Sequence, residues 1–252
     1  MKTLHRSLIS FITAGFPSLH TTREYLHLLS EYSDVIEIGL PFSDPVADGR
    51  VIQLSDKIAL REGVTAEKTF RLAQEFKEDH DTPLILMTYF NPVFRKGTEA
   101  FVDAAHRAGF DAMIVVDLPI DHAEHYLDIC RQHNVKSIFM ATPITSLERL
   151  KIIDRASTGF VYMVSHLGIT GSLNNNAALL RNAIKRAKGI ISNEIAVGFG
   201  IESGEEAATL MKWGANGVVV GSALINIILN GQDPEEDLRR KLNDLRKGVK
   251  QY

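Results

Sequence analysis

Two carboxylates in one segment have the spacing and surroundings for acid–base chemistry. Glu37 lies in a short apolar run that predicts a buried strand, and Asp48 follows in a loop rich in proline and glycine. Because side chains alternate along a strand, Glu37 shares a face with Val35 and Gly39, while two isoleucines occupy the other face. If the more apolar face meets a helix layer, Glu37 points to the inside of the sheet, where burial raises the pKa of a carboxyl group.

This pair fits a division of roles between a neutral acid and an anion. Buried Glu37 would stay protonated near neutral pH, and Asp48, in a wetter loop, would stay ionised. Two simpler interpretations remain open: Glu37 pairs with a buried cation, or Asp48 and the nearby Asp44 serve only as turn or cap residues. Few predicted strands carry an inward Lys or Arg, which favours chemistry at Glu37.

Glycine-bearing loops recur late in the chain, each directly after a predicted strand, at 165–171, 198–201 and 221–224. Glycine lets backbone N–H groups approach an anion closely, and a helix beginning near Ser222 would direct its N-terminal dipole to the same place. One such loop is also an ordinary tight turn. Three in succession predict a phosphate site at the C-terminal ends of strands 6–8, where this kind of barrel often binds phosphate.

The elements that must position these groups alternate along the whole chain. Short apolar runs predict strands at 8–12, 35–38, 84–87, 112–116, 136–140, 160–164, 195–197 and 217–220. Amphipathic stretches that predict helices lie between them, and some open with a capping serine, as at Ser146 and Ser203. No linker rich in Pro or Ser interrupts the series, so a single domain is predicted over residues 1–252.

Two folds repeat this strand–helix unit: the closed (β/α)8 TIM barrel and the doubly wound open sheet. The repeat alone does not separate them. However, the polar and glycine-rich residues cluster after the second, sixth, seventh and eighth strands. This clustering is expected where βα loops build one site at the mouth of a barrel, so the barrel is the prediction.

Composition limits the classes of function. The 252 residues are 45% hydrophobic and 23% charged with a net charge of -3, which is ordinary for a soluble domain and indicates neither a nucleic-acid nor a membrane surface. A single cysteine, Cys130, excludes an intrachain disulfide; with no signal-peptide pattern and no long apolar run, a cytoplasmic location is expected. The nine histidines lack metal-ligand spacing, so no metal and no cofactor are expected in this chain.

The residues resemble one known family closely, the tryptophan synthase alpha subunit. The segment 36–49, IEIGLPFSDPVADG, is similar to the signature of that family. Its other motifs are matched at 11–15, 89–92, 165–171, 198–201 and 221–224. The resemblance covers essentially the whole chain, with the motifs in the family's order.

The resemblance implies a carbon–carbon lyase that cleaves indole-3-glycerol phosphate to indole and D-glyceraldehyde 3-phosphate in the last steps of tryptophan biosynthesis. It implies that Glu37 protonates indole C3 and that Asp48 accepts a hydrogen bond from the indole N–H. The remaining implied site residues are Gly171, Gly200, Gly221 and Ser222 for the phosphate, Phe11, Tyr89 and Tyr162 for the indole pocket, and His166 and Thr170 in a lid over 165–176.

The resemblance also implies a partner, a beta subunit that carries pyridoxal phosphate, in a complex of two alpha and two beta chains. Indole would pass to that partner without release to solvent. The residues that match the partner-facing parts of the family are Asp44, Pro45 and 89–95.

Three positions depart from the family pattern, and two alternative functions remain. Phe16 stands where Asp is typical, Arg50 where Pro is usual, and His166 where Arg or Thr is frequent. A regulatory barrel that activates its partner without turnover is favoured by Phe16 and Arg50 and disfavoured by intact Glu37 and Asp48. Another phosphate-binding barrel, such as indole-glycerol-phosphate synthase, would need an inward lysine on an early strand, which the first two strands lack.

Overall fold

The computed structural model describes residues 3–164, 177–198 and 200–251. The strands in these ranges are β1 Ser7–Thr13, β2 Val35–Gly39, β3 Leu84–Thr88, β4 Ala112–Val115, β5 Lys136–Ser137, β6 Phe139–Ala141, β7 Val161–Val164, β8 Ile195–Gly198 and β9 Gly217–Val220. The helices are α1 Leu19–Tyr32, α2 Arg50–Arg61, α3 Ala66–Asp79, α4 Phe90–Lys96, α5 Thr98–Arg107, α6 Glu124–Gln132, α7 Leu147–Ala156, α8 Ala177–Lys188, α9 Gly204–Trp213, α10 Ser222–Asn230 and α11 Pro234–Lys250.

The strands form one parallel sheet in the order β5-β4-β3-β2-β1-β9-β8-β7-β6. Its two outer strands, β5 and β6, are separated in the chain only by Ile138, whose N–H donates to the Met113 carbonyl at 3.1 Å. They are therefore two parts of the single fifth strand that the sequence predicts, one paired with β4 and the other with β7. This strand closes the ring, so the prediction of a (β/α)8 barrel is confirmed, and the predicted strands 6–8 correspond to β7, β8 and β9.

Short extra helices enter the loops at one end of the barrel. Beside the helices that the amphipathic pattern predicts, the chain forms α2 after the β2 loop, α4 after β3 and α10 after β9. The sequence indicated only the start of α10, at Ser222. Two of these extra helices matter for the site: α2 follows the loop that carries Asp48, and α10 follows the glycine-bearing end of β9.

The strands separate two apolar layers. Inside the barrel lies a cluster of Leu4, Ile9, Val35, Ile85, Ala112, Ile114, Ile138, Phe160, Tyr162, Ala196 and Val219. Ile36 and Ile38 belong to the larger cluster between strands and helices. Strand β2 is therefore buried on both faces. Each aliphatic side chain that it removes from water stabilises the fold by about 1.5–3 kcal/mol. The predicted facing of β2 is confirmed, and Glu37 lies on the inner side with Val35.

Helix starts follow from local capping. Ser146 Oγ accepts the Arg149 N–H, and Ser203 forms a reciprocal capping box with Glu206, which satisfies backbone donors that the first turn leaves free. Both predicted caps are confirmed. None of the helices in the described ranges is long and apolar enough to cross a membrane.

Candidate active site

Glu37 lies inside the barrel near the end of β2, in register with Phe11 of β1 and Ile85 of β3. The residue is 1% exposed, and its Oε2 atom has no hydrogen-bond partner among the described residues. Burial, and after it the nearby charge of Asp48, raise the pKa of Glu37 to about 8. No described Lys or Arg pairs with it, so the interpretation as half of a buried ion pair finds no support.

Asp48 follows in the loop between β2 and α2 and is also buried, at 4% exposure. The hydroxyl of Tyr89 donates to its Oδ2 at 2.6 Å, and the same hydroxyl accepts the Ala47 N–H at 3.0 Å. Burial raises the pKa of Asp48, and the Tyr89 hydrogen bond opposes this rise because it stabilises the charged form. The sequence predicted a wetter environment for Asp48 than the structure gives it. The contact that favours its ionised form is the hydrogen bond from Tyr89.

Asp44 occupies a different environment in the same loop. Its side chain is exposed and accepts the Ser43 hydroxyl at 2.5 Å, while its carbonyl accepts the Val46 N–H. These local contacts match the interpretation of Asp44 as a turn residue.

A third carboxyl, Asp56, was missed by the sequence analysis. It lies on α2, is 4% exposed, and its Oδ2 accepts the Phe42 N–H at 3.4 Å. Burial, and after it the Asp48 charge, raise its pKa to about 8. Its spacing of three residues from Ala59 would have placed it on the buried face of a helix, but the segment was not recognised as helical.

Aromatic side chains lie against glycines at the mouth of the barrel. A side-chain carbon on Gly39 would come within 2.6 Å of the Phe11 ring, and one on Gly221 within 3.1 Å of Phe11 Cβ. A side-chain carbon on Gly198 would come within 2.2 Å of the Tyr162 hydroxyl oxygen. The glycines therefore make room for rings. Tyr162 is also close enough to Glu37 and Asp48 for their charges to raise its pKa, after the larger effect of burial.

The glycine-rich loops after β8 and β9 lie on the other side of Phe11. Gly221 precedes α10 and provides no side-chain cap, so the first backbone N–H groups of this helix lack a capping side chain. Gly200 has a φ of 71°, a left-handed conformation that glycine adopts without strain. Ser222 begins α10 and is half-buried. This arrangement has the features of an anion site at a helix N-terminus.

Five positions singled out in the sequence either lie outside the described residues or lie away from the carboxyl pair. Gly171, His166 and Thr170, with the proposed lid, fall outside the described residues. Phe16 is 1% exposed and packs in the larger apolar cluster between strands and helices. Arg50 is the exposed first residue of α2.

The arrangement combines a neutral buried acid, a carboxylate, aromatic walls and a helix N-terminus at one mouth. Among the described residues no group of three or more His, Cys, Asp or Glu side chains is placed to hold a metal ion. Such a site can exchange a proton with an aromatic substrate and bind an anionic group a short distance away.

Comparisons with known proteins agree with this geometry. A family model described as tryptophan synthase alpha chain matches residues 1–252. The tryptophan synthase alpha chain of Pyrococcus abyssi is 49% identical over 240 residues, covering 95% of this chain and 97% of the relative. That of Archaeoglobus fulgidus is 44% identical over 248 residues, covering 98% and 99%.

Solved structures give the same result. The tryptophan synthase alpha subunit of Pyrococcus furiosus superimposes with a TM-score of 0.91 at 42% identity, covering 97% of this chain and 99% of that one. A chain of the tryptophan synthase complex from the same organism superimposes with a TM-score of 0.90 at 43% identity and the same coverage. The chain, with its buried carboxyl pair and glycine-lined mouth, therefore belongs to the tryptophan synthase alpha chain family and has the alpha subunit's role in tryptophan biosynthesis.

Proposed function

We propose that this chain is a carbon–carbon lyase that cleaves indole-3-glycerol phosphate into indole and D-glyceraldehyde 3-phosphate. The observation that carries the proposal is Glu37, a carboxyl inside the barrel with an unpartnered oxygen and a pKa of about 8. Because that pKa lies above neutrality, Glu37 holds a proton at neutral pH and can give it to an electron-rich ring.

The proposed reaction starts with proton transfer from Glu37 to C3 of the indole ring. The ring becomes a cation whose positive charge lies largely at the N–H, and Asp48 accepts a hydrogen bond from that group. The bond between C3 and the glycerol phosphate chain then breaks, and its electron pair restores the aromatic ring. The hydroxyl on the departing carbon becomes the aldehyde and returns its proton to Glu37, so the protons balance.

The electrostatics of the pair support this division. Ionised Asp48 is most useful when positive charge develops nearby, which occurs only along the reaction path. Tyr89 donates to Asp48 at 2.6 Å and so favours its ionised form. Glu37 is held neutral by the same burial that would make an isolated charge costly.

The rest of the substrate would lie along the mouth. Phe11, Tyr89 and Tyr162 would bound the indole ring. The positions of Phe11 and Tyr162 against glycines, and the hydrogen bond from Tyr89 to Asp48, support this assignment. Gly200, Gly221 and Ser222 would bind the phosphate together with Gly171. His166 and Thr170 would belong to a lid that excludes water.

We also propose that the chain works with a beta subunit that holds pyridoxal phosphate, in a cytoplasmic complex of two alpha and two beta chains, while it binds no cofactor itself. The related Pyrococcus furiosus protein has been seen in a tryptophan synthase complex. Phe94, within the partner-facing segment 89–95, is 69% exposed, and Val46, which directly follows Pro45, is 81% exposed. Large apolar side chains exposed in this way are typical of contact surfaces.

Indole release from indole-3-glycerol phosphate tests the proposal. Wild type, Glu37→Gln and the exposed control Glu62→Gln are each assayed with a tryptophan synthase beta subunit added. We expect turnover in wild type and in the control, and a fall of at least about 10²-fold in Glu37→Gln, because the proton donor is removed. Wild type that releases no indole yet stimulates the beta subunit would instead identify a regulatory barrel.

A further inference from the structure

Asp56 is a buried carboxyl for which the proposed reaction has no use. It lies on the side of α2 that faces the barrel, beside Ser55, whose hydroxyl contacts that of Thr13 in β1 at 2.7 Å. No described Lys or Arg forms an ion pair with it. A buried carboxyl without a cation reduces stability, so its place next to the site requires a physical explanation.

A series of contacts connects Asp56 with Asp48. The Phe42 N–H donates to Asp56 Oδ2 at 3.4 Å. The Phe42 ring stacks on the ring of Tyr89, with centroids 4.9 Å apart and an interplanar angle of 22°. The Tyr89 hydroxyl then donates to Asp48 Oδ2 at 2.6 Å. Each group contacts the next, so Asp56 is connected to the carboxylate of Asp48 through Phe42 and Tyr89.

The ionisable groups that surround Asp56 in the described part of the chain include acidic side chains but no cation. Helix α2 packs against β1 and α10, whose sequences SLISFIT and SALINIILN contain no ionisable side chain. The ionisable groups that face Asp56 are Asp48, in the loop, and Tyr89, at the end of β3. The basic residues of α2 lie on its exposed side and are Arg50, Lys57 and Arg61.

Charge in this cluster therefore depends on pH. Burial and the Asp48 charge raise the pKa of Asp56 to about 8, so Asp56 is neutral at neutral pH and adds no repulsion to Asp48. Above about pH 8 it ionises and adds a second negative charge in a region of low dielectric, where like charges repel strongly.

We infer that Asp56 is a positioning residue, whose neutral side chain holds Phe42, Tyr89 and Asp48 in the arrangement used for cleavage and whose ionisation disturbs that arrangement. This inference rests on the proposed function, because Asp48 is the group that Asp56 positions.

Two substitutions separate position from charge. Asp56→Asn keeps an oxygen acceptor for the Phe42 N–H but cannot ionise, and Asp56→Leu removes both properties. Glu62→Gln, at the exposed end of the same helix, is the matched control. Each variant is assayed for kcat and KM with the beta subunit between pH 6 and 9.5, after thermal unfolding confirms that it is folded.

At pH 7 we expect Asp56→Leu to lower kcat about 10-fold and Asp56→Asn to stay within about twofold of wild type, because only the first loses the contact that orders the loop. In wild type, log(kcat/KM) should fall with a slope approaching about -2 above pH 8, since Glu37 and Asp56 both lose protons. The slope should be about -1 in Asp56→Asn. If Asp56→Leu fails to fold, the difference in slope between wild type and Asp56→Asn tests the inference by itself. A wild-type slope in Asp56→Asn overturns the inference.

A carbon-13 NMR titration of the aspartate carboxyls distinguishes failure of this inference from failure of the proposed function. The Asp48 signal is assigned with Asp48→Asn, and in wild type it should show a second inflection near pH 8 that is lost in Asp56→Asn. If wild type releases no indole but this inflection is present, the proposed function fails while the coupling of Asp56 to Asp48 stands. If Asp48 shows no second inflection, the positioning role is wrong.

Discussion

The two ends of the barrel treat their polar side chains in opposite ways. Where the strands begin, side chains complete the sheet: Asp34 Oδ2 accepts the Leu8 N–H at 2.9 Å, and Asn216 Oδ1 accepts the Ile195 N–H at 3.1 Å. Asp111 serves β3 in the same way. Each acceptor directly precedes one strand and binds the start of the strand before it in the chain.

At the mouth, by contrast, the buried carboxyls are less well satisfied, and Asp48 and Asp56 accept hydrogen bonds only from Tyr89 and Phe42 among the described residues. Glu37 has an oxygen without a hydrogen bond, and neither it nor Asp48 nor Asp56 has a cation among the described residues. A polar group that is buried and unsatisfied costs about 1–3 kcal/mol. The difference teaches that polar residues where strands begin stabilise this fold, whereas the buried carboxyls at the mouth reduce its stability and, in the proposed function, act on the substrate.

The largest expected effect concerns activity at the mouth. Asp48→Asn should lower indole release about 10²-fold, because a neutral amide stabilises developing positive charge far less than a carboxylate. Its thermal stability should change little by comparison. The measurement is kcat with the beta subunit present, and Glu62→Gln, at the exposed end of α2, serves as the control.

The second expected effect is a gain in stability at the mouth. The folded pKa of Glu37, about 8, lies above its ordinary value of 4.5, so the folded state holds a proton that the unfolded state releases between these pH values. Stability therefore falls as pH rises through this window, and Glu37→Gln should remove that fall. Between pH 5 and 8 the free energy of unfolding of wild type should fall by roughly 3 to 4 kcal/mol relative to that of Glu37→Gln, measured by denaturant titration.

Equal pH dependence in wild type and Glu37→Gln would contradict the assignment of a neutral, buried acid at this position. Glu62→Gln, which is exposed, should behave as wild type at both pH values.

The opposite result is expected where the strands begin. Asn216→Ala should lower the free energy of unfolding by about 1–2 kcal/mol, because the Ile195 N–H loses its acceptor. The value of kcat should remain unchanged, since the site lies at the other end of the strands. A substantial loss of kcat in a folded Asn216→Ala protein would break the distinction between the two ends.

The smallest effect concerns Tyr89. Tyr89→Phe removes the hydroxyl that donates to Asp48, so the pKa of Asp48 should rise further. The acid limb of the profile of kcat/KM against pH should move up by about 0.5 to 1 unit, while activity near pH 8 remains close to wild type. An unmoved acid limb would mean that the hydrogen bond does not set the charge of Asp48.

The sequence by itself determined the repeat of strands and helices, the inward face of Glu37 and the family. Each of these depends on local information: alternation along a strand places Glu37 with Val35, short apolar runs mark buried strands, and the segment 36–49 carries the resemblance. Closure of the barrel was inferred from where polar residues cluster, and the pairing of β5 with β4 and of β6 with β7 confirms it.

Only the tertiary structure decided how charge is distributed at the mouth. Asp48 looked like a wetter loop residue, but packing buries it, and Tyr89, distant in sequence, gives it a hydrogen bond. Asp56 lay in a segment not recognised as a helix, and its burial beside Asp48 depends on how α2 packs on β1 and α10. Burial and contacts between distant residues set pKa values, and neither can be read from residue type or spacing along the chain.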